Sequence, residues 1–424
     1  MRRILLLVLI TLTIILGCAK KESQLVFAVG GAPSEVDYWE KLINDFEETS
    51  KIKVNLLRQP TDTDQRRQSL VIPLKARKNN PDVFLMDVAW VGQFSASGWV
   101  LPLDSFIQRD QFDLPKIFAS VVKEADTYKG KIVALPVYID SGLLYYRKDL
   151  LEKYGFSVPE TWSELVDYST KVQQKERENN PQFYGFVWQG AQYEGLICNF
   201  VEFISSNGGR IIDEDGTIVL NSKENTQALQ FMADLINKYQ ISPPNTFTEM
   251  KEEEVRTYFE NGNALFERNW PYAWNLHQSD QSPVKGKVGL AVLPKFEGGQ
   301  NAATLGGWHI GISNYSDNKE EAWKLVSYIL SYDTQKKLAL NLGWNPGRRD
   351  IYDDSEVKEK MPQMEVLKKA FEHTVARPNI PAYTQVSEIL QKYVNSAISG
   401  KLESDKALEQ AEEETETIIR TYRE

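Results

Sequence analysis

Apolar positions along the chain recur with two periods. Leu25, Val26, Phe27 and Val29 form a short β-branched and aromatic run that reads as a strand over 24–29. After the turn-forming Gly30-Gly31-Ala32-Pro33-Ser34, residues Trp39, Leu42, Ile43 and Phe46 share one face of a helix over 36–48. A strand over 52–57, a polar helix over 64–78 and a buried strand over 83–86 complete a β-α-β-α-β order. That order predicts a parallel sheet with helices packed on it.

The pattern then repeats with other proportions. Strands are predicted over 131–138, 143–147, 184–188, 264–266, 288–293 and 308–313, and helices over 226–239, 253–261, 320–330, 334–342 and 387–420. Thr161-Trp162-Ser163-Glu164 has the spacing of a capping box: the threonine accepts from the first-turn amides and the glutamate reaches back. Gly262 is placed to end the helix before it. One of Tyr145 and Tyr146, which alternate on a strand, is expected in the core. The acidic run Glu412-Glu413-Glu414 reads as a solvated helix face.

The N-terminus has a different pattern. Arg2 and Arg3 precede an apolar run over 4–16 broken only by Thr11 and Thr13, then Gly17 and Cys18. Basic head, apolar stretch and small residue mark a secretory signal. The run falls short of the roughly 20 apolar residues a bilayer span needs. Residues 1–17 are therefore expected to be a secretory signal peptide, of the lipoprotein type with 18–24 a lipidated tether if the likeness that follows holds. Ile15-Leu16-Gly17-Cys18 resembles a bacterial lipobox, with isoleucine where leucine is usual, so the resemblance implies a lipid on Cys18 and an extracytoplasmic, membrane-anchored chain. Each acyl CH₂ contributes about 0.8 kcal/mol to anchoring.

With 424 residues the chain is too long for one ordinary core and implies two domains. Its formal charge of −10 has no basic block to offset it, which disfavours nucleic acid as a partner. The other cysteine, Cys198, lies in an apolar stretch and suits a small core residue, so no disulfide framework is predicted. His277, His309 and His373 show no ligand spacing, and the chain has no Gly-x-Ser-x-Gly elbow. No metal or cofactor is expected. Ten tryptophans and nineteen tyrosines are many, and several sit in Gly/Pro/Asn-rich segments rather than periodic ones.

Several stretches carry a family resemblance through their joint order: 130–136 (GKIVALP), 145–151 (YYRKDLL), 159–165 (PETWSEL), 259–265 (FENGNAL), 269–274 (NWPYAW) and 292–294 (VLP). The chain resembles the extracellular solute-binding proteins of ABC importers, in the carbohydrate branch with maltose-binding protein. The likeness runs from about residue 24 to the end. It implies a periplasmic-binding-protein type II fold, α/β, with two discontinuous lobes hinged around a ligand cleft. The implied N-terminal lobe is 25–138 with 285–333, and the C-terminal lobe 139–284 with 334–424.

A neutral sugar needs charged acceptors and donors for its hydroxyls and flat rings for its C–H faces. Residues of these types sit at strand ends and loops: Glu35, Asp87, Tyr138, Asp140, Trp270, Tyr272, Gly307, Trp308 and Arg377. The set is also similar to the site of trehalose/maltose-binding proteins, which adds Thr61 and Arg66, with Arg67 as its near neighbour. That resemblance implies ring faces on Trp308, Trp270 and Tyr272, acceptors in Glu35, Asp87 and Asp140, and donors in Arg66, Arg377 and the Gly307 amide. The tryptophan of the 306–312 run is absent from the family's maltodextrin binders, so the resemblance implies a compact two-ring ligand, trehalose or maltose.

Blander roles stand beside these. Asp87, Asp140 and Glu35 also suit helix caps, Arg377 a structural ion pair, and Trp270 and Tyr272 packing aromatics. Trp274 reads as core. The implied partners are a neutral disaccharide, the permease subunits and the membrane through the anchor, with the chain itself a monomer and not an enzyme. Another neutral di- or oligosaccharide is the nearest alternative. A secreted glycoside hydrolase drawing on the same carboxylates is the remote one.

Overall fold

The computed structural model describes residues 24–31, 33–60, 62–213 and 216–423. The signal segment, Cys18 and Thr61 lie outside the described residues. The chain divides into two compact units, one comprising residues up to Phe84 together with Ile312–Tyr328, the other Leu85–Gly311 with Ile329–Glu424.

The first unit is built on parallel strands. β1 (Leu25–Val29) pairs in parallel with β2 (Val54–Arg58), Phe27 lying opposite Leu56. It also pairs in parallel with β3 (Val83–Asp87), through Phe27–Val83 and Ala28–Phe84. This is the predicted parallel arrangement. Helix Pro33–Ser50 buries Val36, Trp39, Leu42, Ile43 and Phe46. Val36, Trp39, Ile43 and Phe46 recur every three or four residues with Leu42 beside them, the spacing of a single helix face. Trp39 meets Phe27 edge-on at 5.4 Å, which ties the helix to the central strand. Asp82 joins the ends of the unit: it accepts from the Val26 amide at 2.8 Å and from Ser316 Oγ at 2.5 Å.

The second unit holds the remaining strands. A short antiparallel ribbon of β4 (Thr127–Tyr128) and β5 (Lys131–Ile132) precedes β6 (Leu135–Ser141). The single strand expected over 131–138 is thus two, parted at Val133 and Ala134. β7 (Leu143–Arg147), β8 (Tyr184–Val187), β9 (Ala264–Asn269) and β10 (Val288–Ala291) form one sheet in the order β10-β7-β9-β8. β11 (Ala303–Ile312) lies antiparallel to β6 and parallel to β12 (Thr374–Val375). It begins five residues before the predicted start, because Gly306 and Gly307 interrupt the run and leave Thr304 and Leu305 too short a stretch to show a strand period.

The capping box forms with both halves, Thr161 Oγ1 accepting from the Glu164 amide and Glu164 returning to the Thr161 amide. Gly262 takes φ +78° after helix Glu252–Glu260, as its predicted stop role requires. Tyr145 is fully buried and Tyr146 only partly so. The helix expected over 387–420 is two, Tyr383–Ile398 and Ser404–Arg423, parted where Gly400 adopts φ +73°.

Helix Glu194–Ser206 has no counterpart in the sequence reading. Twelve of its thirteen residues are buried, so it has no polar face and no amphipathic period to betray it.

Candidate functional site

In the first unit, Gly30 and Gly31 gather two of the predicted residues. A Cβ at Gly31, whose φ is +136°, would stand 2.3 Å from a Glu35 carboxylate oxygen. A Cβ at Gly30 would stand 2.7 Å from Arg66 Nε. The turn must therefore be glycine for Glu35 and Arg66 to close on it. Glu35 lies in the first turn of its helix, where a carboxylate also suits the helix dipole. Arg66 is buried while its neighbour Arg67 is only partly so.

In the second unit, the antiparallel pairing of β6 and β11 sets Gly306 opposite Asp140, Gly307 opposite Ile139 and Trp308 opposite Tyr138. Side chains alternate along a strand, so Tyr138 and Asp140 share one face while Val137, Ile139 and Ser141 are buried on the other. Trp308 stands edge-on to Trp90 at 5.4 Å. The close backbone approach that Gly307 permits is to β6: its φ is +120°, and a Cβ there would lie 2.3 Å from the Tyr138 carbonyl oxygen.

Trp270 comes to the same place from the end of β9. A Cβ on Gly306 would sit 3.1 Å from its six-membered ring and 3.3 Å from Asp140 Cβ, so the indole, the glycine and the acid adjoin. The Arg268 guanidinium lies 4.1 Å from the Trp270 ring. Such a stack is worth about 2 kcal/mol when desolvated. Glu202 fixes Arg268 through Nε–Oε2 at 2.8 Å and a second, shorter contact between Nη2 and Oε1. Burial opposes charge on Arg268, but Glu202 more than offsets it and the guanidinium pKa lies above its ordinary value. Tyr272 is the most exposed of the described members of the set at 37%, and its hydroxyl donates to Glu253 at 2.6 Å.

Arg377 is buried and bridges two acids, Asp87 at 3.3 Å and Glu194 at 2.7 Å. Burial works against its charge, and the ionisable groups around it, Cys198 first and then Asp87, Tyr383 and Glu194, outweigh that and hold its pKa well above the ordinary value. Asp87 also caps the short helix Val88–Trp90 by accepting from the Ala89 amide at 2.8 Å. Both thus have the structural roles open to them from sequence. Glu194, Trp90, Trp344 and Asn345 were not among the predicted residues. Trp344 and Asn345 had a signal: an aromatic and an amide in the turn-like run Gly343 to Gly347.

Two histidines are accounted for by buried carboxylate partners: His277 with Glu267 at 2.7 Å and His309 with Asp126 at 2.5 Å. Cys198 is buried and unpaired to any cysteine, and burial pushes its thiol up to about 12. The thiolate is the reactive species. A chain lacking Cys18 is therefore expected to show no fast thiol titre with a disulfide reagent when native and one thiol per chain in denaturant. A fast native titre would mean that helix Glu194–Ser206 opens readily.

Residues 32–336 match the model of a family described as bacterial extracellular solute-binding protein. A probable ABC transporter-binding protein of Deinococcus radiodurans is 38% identical over 364 residues, covering 85% of each chain. Among solved structures, maltose-bound MalE3 of T. maritima is 41% identical with a TM-score of 0.84, over 93% of this chain and 99% of the other. A solute-binding protein of Thermotoga lettingae with bound α-D-tagatose is 30% identical with a TM-score of 0.81, over 94% and 100%. These matches establish a type II periplasmic-binding-protein fold, and the chain belongs to the bacterial extracellular solute-binding proteins, among their maltose-binding-protein-like members.

Proposed function

We propose that the chain captures a small α-glucoside, trehalose or maltose, outside the cytoplasm and delivers it to the permease of an ABC importer. The observation that carries this is the junction of Tyr138, Asp140, Gly306, Trp308 and Trp270 in one place. Acid and ring are side by side there, the pairing a pyranose needs for its hydroxyls and its C–H face. The likeness to a maltose-bound protein at 41% identity supports the ligand class. Glu35, Thr61, Arg66, Asp87, Tyr272, Gly307 and Arg377 belong to the proposal on the family resemblance. So do the lobe boundaries, the lipid on Cys18 and a monomeric state. The family binds solutes rather than transforming them, and the carboxylates are assigned to binding.

A monosaccharide is the second reading, favoured by the tagatose-bound relative at 30% identity. One added or missing hydroxyl contact decides such preferences when the site is built to hydrogen-bond it.

Calorimetric titration of the chain starting after Cys18 tests both. Tight one-to-one binding of trehalose or maltose, lost in Asp140→Ala, is the expected result. Heat with tagatose alone would shift the assignment to the second reading. Silence with all three would remove the small-sugar assignment, and glucose release from either disaccharide would overturn the binding role.

A further inference from the structure

Strand β6 carries two proposed ligand residues, and β11 covers only one of its edges. The other edge is taken by the segment after helix Tyr332–Leu342. The Ile139 amide donates to the Asn345 carbonyl at 2.9 Å, and Tyr138 forms an antiparallel bridge with Pro346. Side chains follow the same register. The Trp344 ring lies 4.1 Å from the Tyr138 ring at an interplanar angle of 30°. Asn345 Nδ2 donates to Asp140 Oδ1 at 3.1 Å.

The segment is held from behind. The Tyr352 hydroxyl donates to the Pro346 carbonyl at 3.1 Å, and the Gly347 amide donates to Gln335 Oε1 at 3.1 Å. A Cβ at Gly347 would stand 2.2 Å from the Pro136 carbonyl, so only glycine lets the segment close on β6. Arg348 then ties the chain to Asp350 and Asp113, at 2.8 and 3.0 Å.

Asn345 is 1% exposed, and its Oδ1 has no hydrogen-bond partner. A buried amide oxygen left so carries a desolvation cost, which a strong bond at the other end of the amide can offset. The Asp140 carboxylate supplies that bond. It also fixes the orientation, since the flipped amide would set two acceptors against each other.

We infer that Trp344 and Asn345 are positioning residues: Asn345 fixes the direction of the Asp140 carboxylate and Trp344 the tilt of the Tyr138 ring. This rests on the sugar-binding reading for its meaning, but the placement itself is independent of any ligand. Asn345→Ala removes only the amide, because the bond from Ile139 goes to the backbone carbonyl.

Titrations and crystal structures of the wild type, Asn345→Ala, Trp344→Ala and Trp344→Phe provide the test. Affinity for whichever of maltose and trehalose binds is expected to fall about tenfold in Asn345→Ala, the equivalent of one hydrogen bond to a charged group. Trp344→Phe should recover most of what Trp344→Ala loses. A general loss of structure would be seen in the melting curve, and Asn345→Leu, which keeps the volume and removes the donor, replaces an alanine variant that fails to fold, with the same loss expected. Unchanged affinity in Asn345→Ala, beside a loss in Asp140→Ala, overturns the inference and leaves sugar binding intact. So do ligand-free crystals in which Asp140 and Tyr138 keep their wild-type rotamers in both alanine variants. That last comparison holds even if the wild type binds neither sugar, an outcome that sinks the function and not the clamp.

Discussion

Glu202→Ala is expected to lower the stability of the chain by about 3–5 kcal/mol, the cost of leaving a buried charge uncompensated. Glu202 and Arg268 are each 1% exposed, so neither partner has water to fall back on. The carboxylate serves more than the guanidinium: Oε1 also accepts from the Thr304 amide at 3.2 Å. The carboxylate also packs directly on Gly142, where a Cβ would lie 2.0 Å from that same oxygen. The urea midpoint measures the effect. The control is Glu202→Leu with Arg268→Met, which removes both charges at similar volume and should lose far less than the single change. Equal losses would mean that shape, not charge compensation, governs the site. The pair also lies behind Trp270, so Glu202→Ala should weaken sugar binding if that indole is a platform, whereas the double variant keeps packing against the ring but lacks the cation.

What could be read from sequence was what is local. The β-α-β order of the first unit follows from adjacent segments whose apolar periods switch between two and about three and a half residues. The capping box needs only Thr161 and Glu164, three residues apart. Tyr138 and Asp140 could be placed on one strand face because alternation needs no knowledge of the partner strand.

What escaped depends on partners far along the chain. Asn345 meets Asp140 across 205 residues, and Arg377 meets Glu194 across 183. Nothing near either residue announces the pairing. Glu202 was missed for a different reason. It sits among Phe200, Val201, Phe203 and Ile204, where an isolated charge is a hint of a buried partner but not of which one. The strand 264–269 hid Arg268 in the same way, its six residues all buried although three are polar or charged.

Trp308→Ala should cost the largest share of sugar affinity of any single ring, about 2–4 kcal/mol, or roughly 30- to 1,000-fold in Kd. The ring is partly exposed, held edge-on by Trp90, and directly across the strand pair from Tyr138. Its ring is braced near the perpendicular by an aromatic neighbour while part of it reaches the surface, the placement a sugar platform needs. Trp90 is buried at 5% and serves as its backing. Trp90→Phe should therefore lose only a few-fold, because a smaller ring still supports the indole. Titration of both variants with the tightest disaccharide separates the two roles. A loss in Trp90→Phe as large as in Trp308→Ala would make the pair a single packing unit. Wild-type affinity in Trp308→Ala would remove the ring from the site and, with it, the reason for preferring a compact two-ring ligand over a longer glucan.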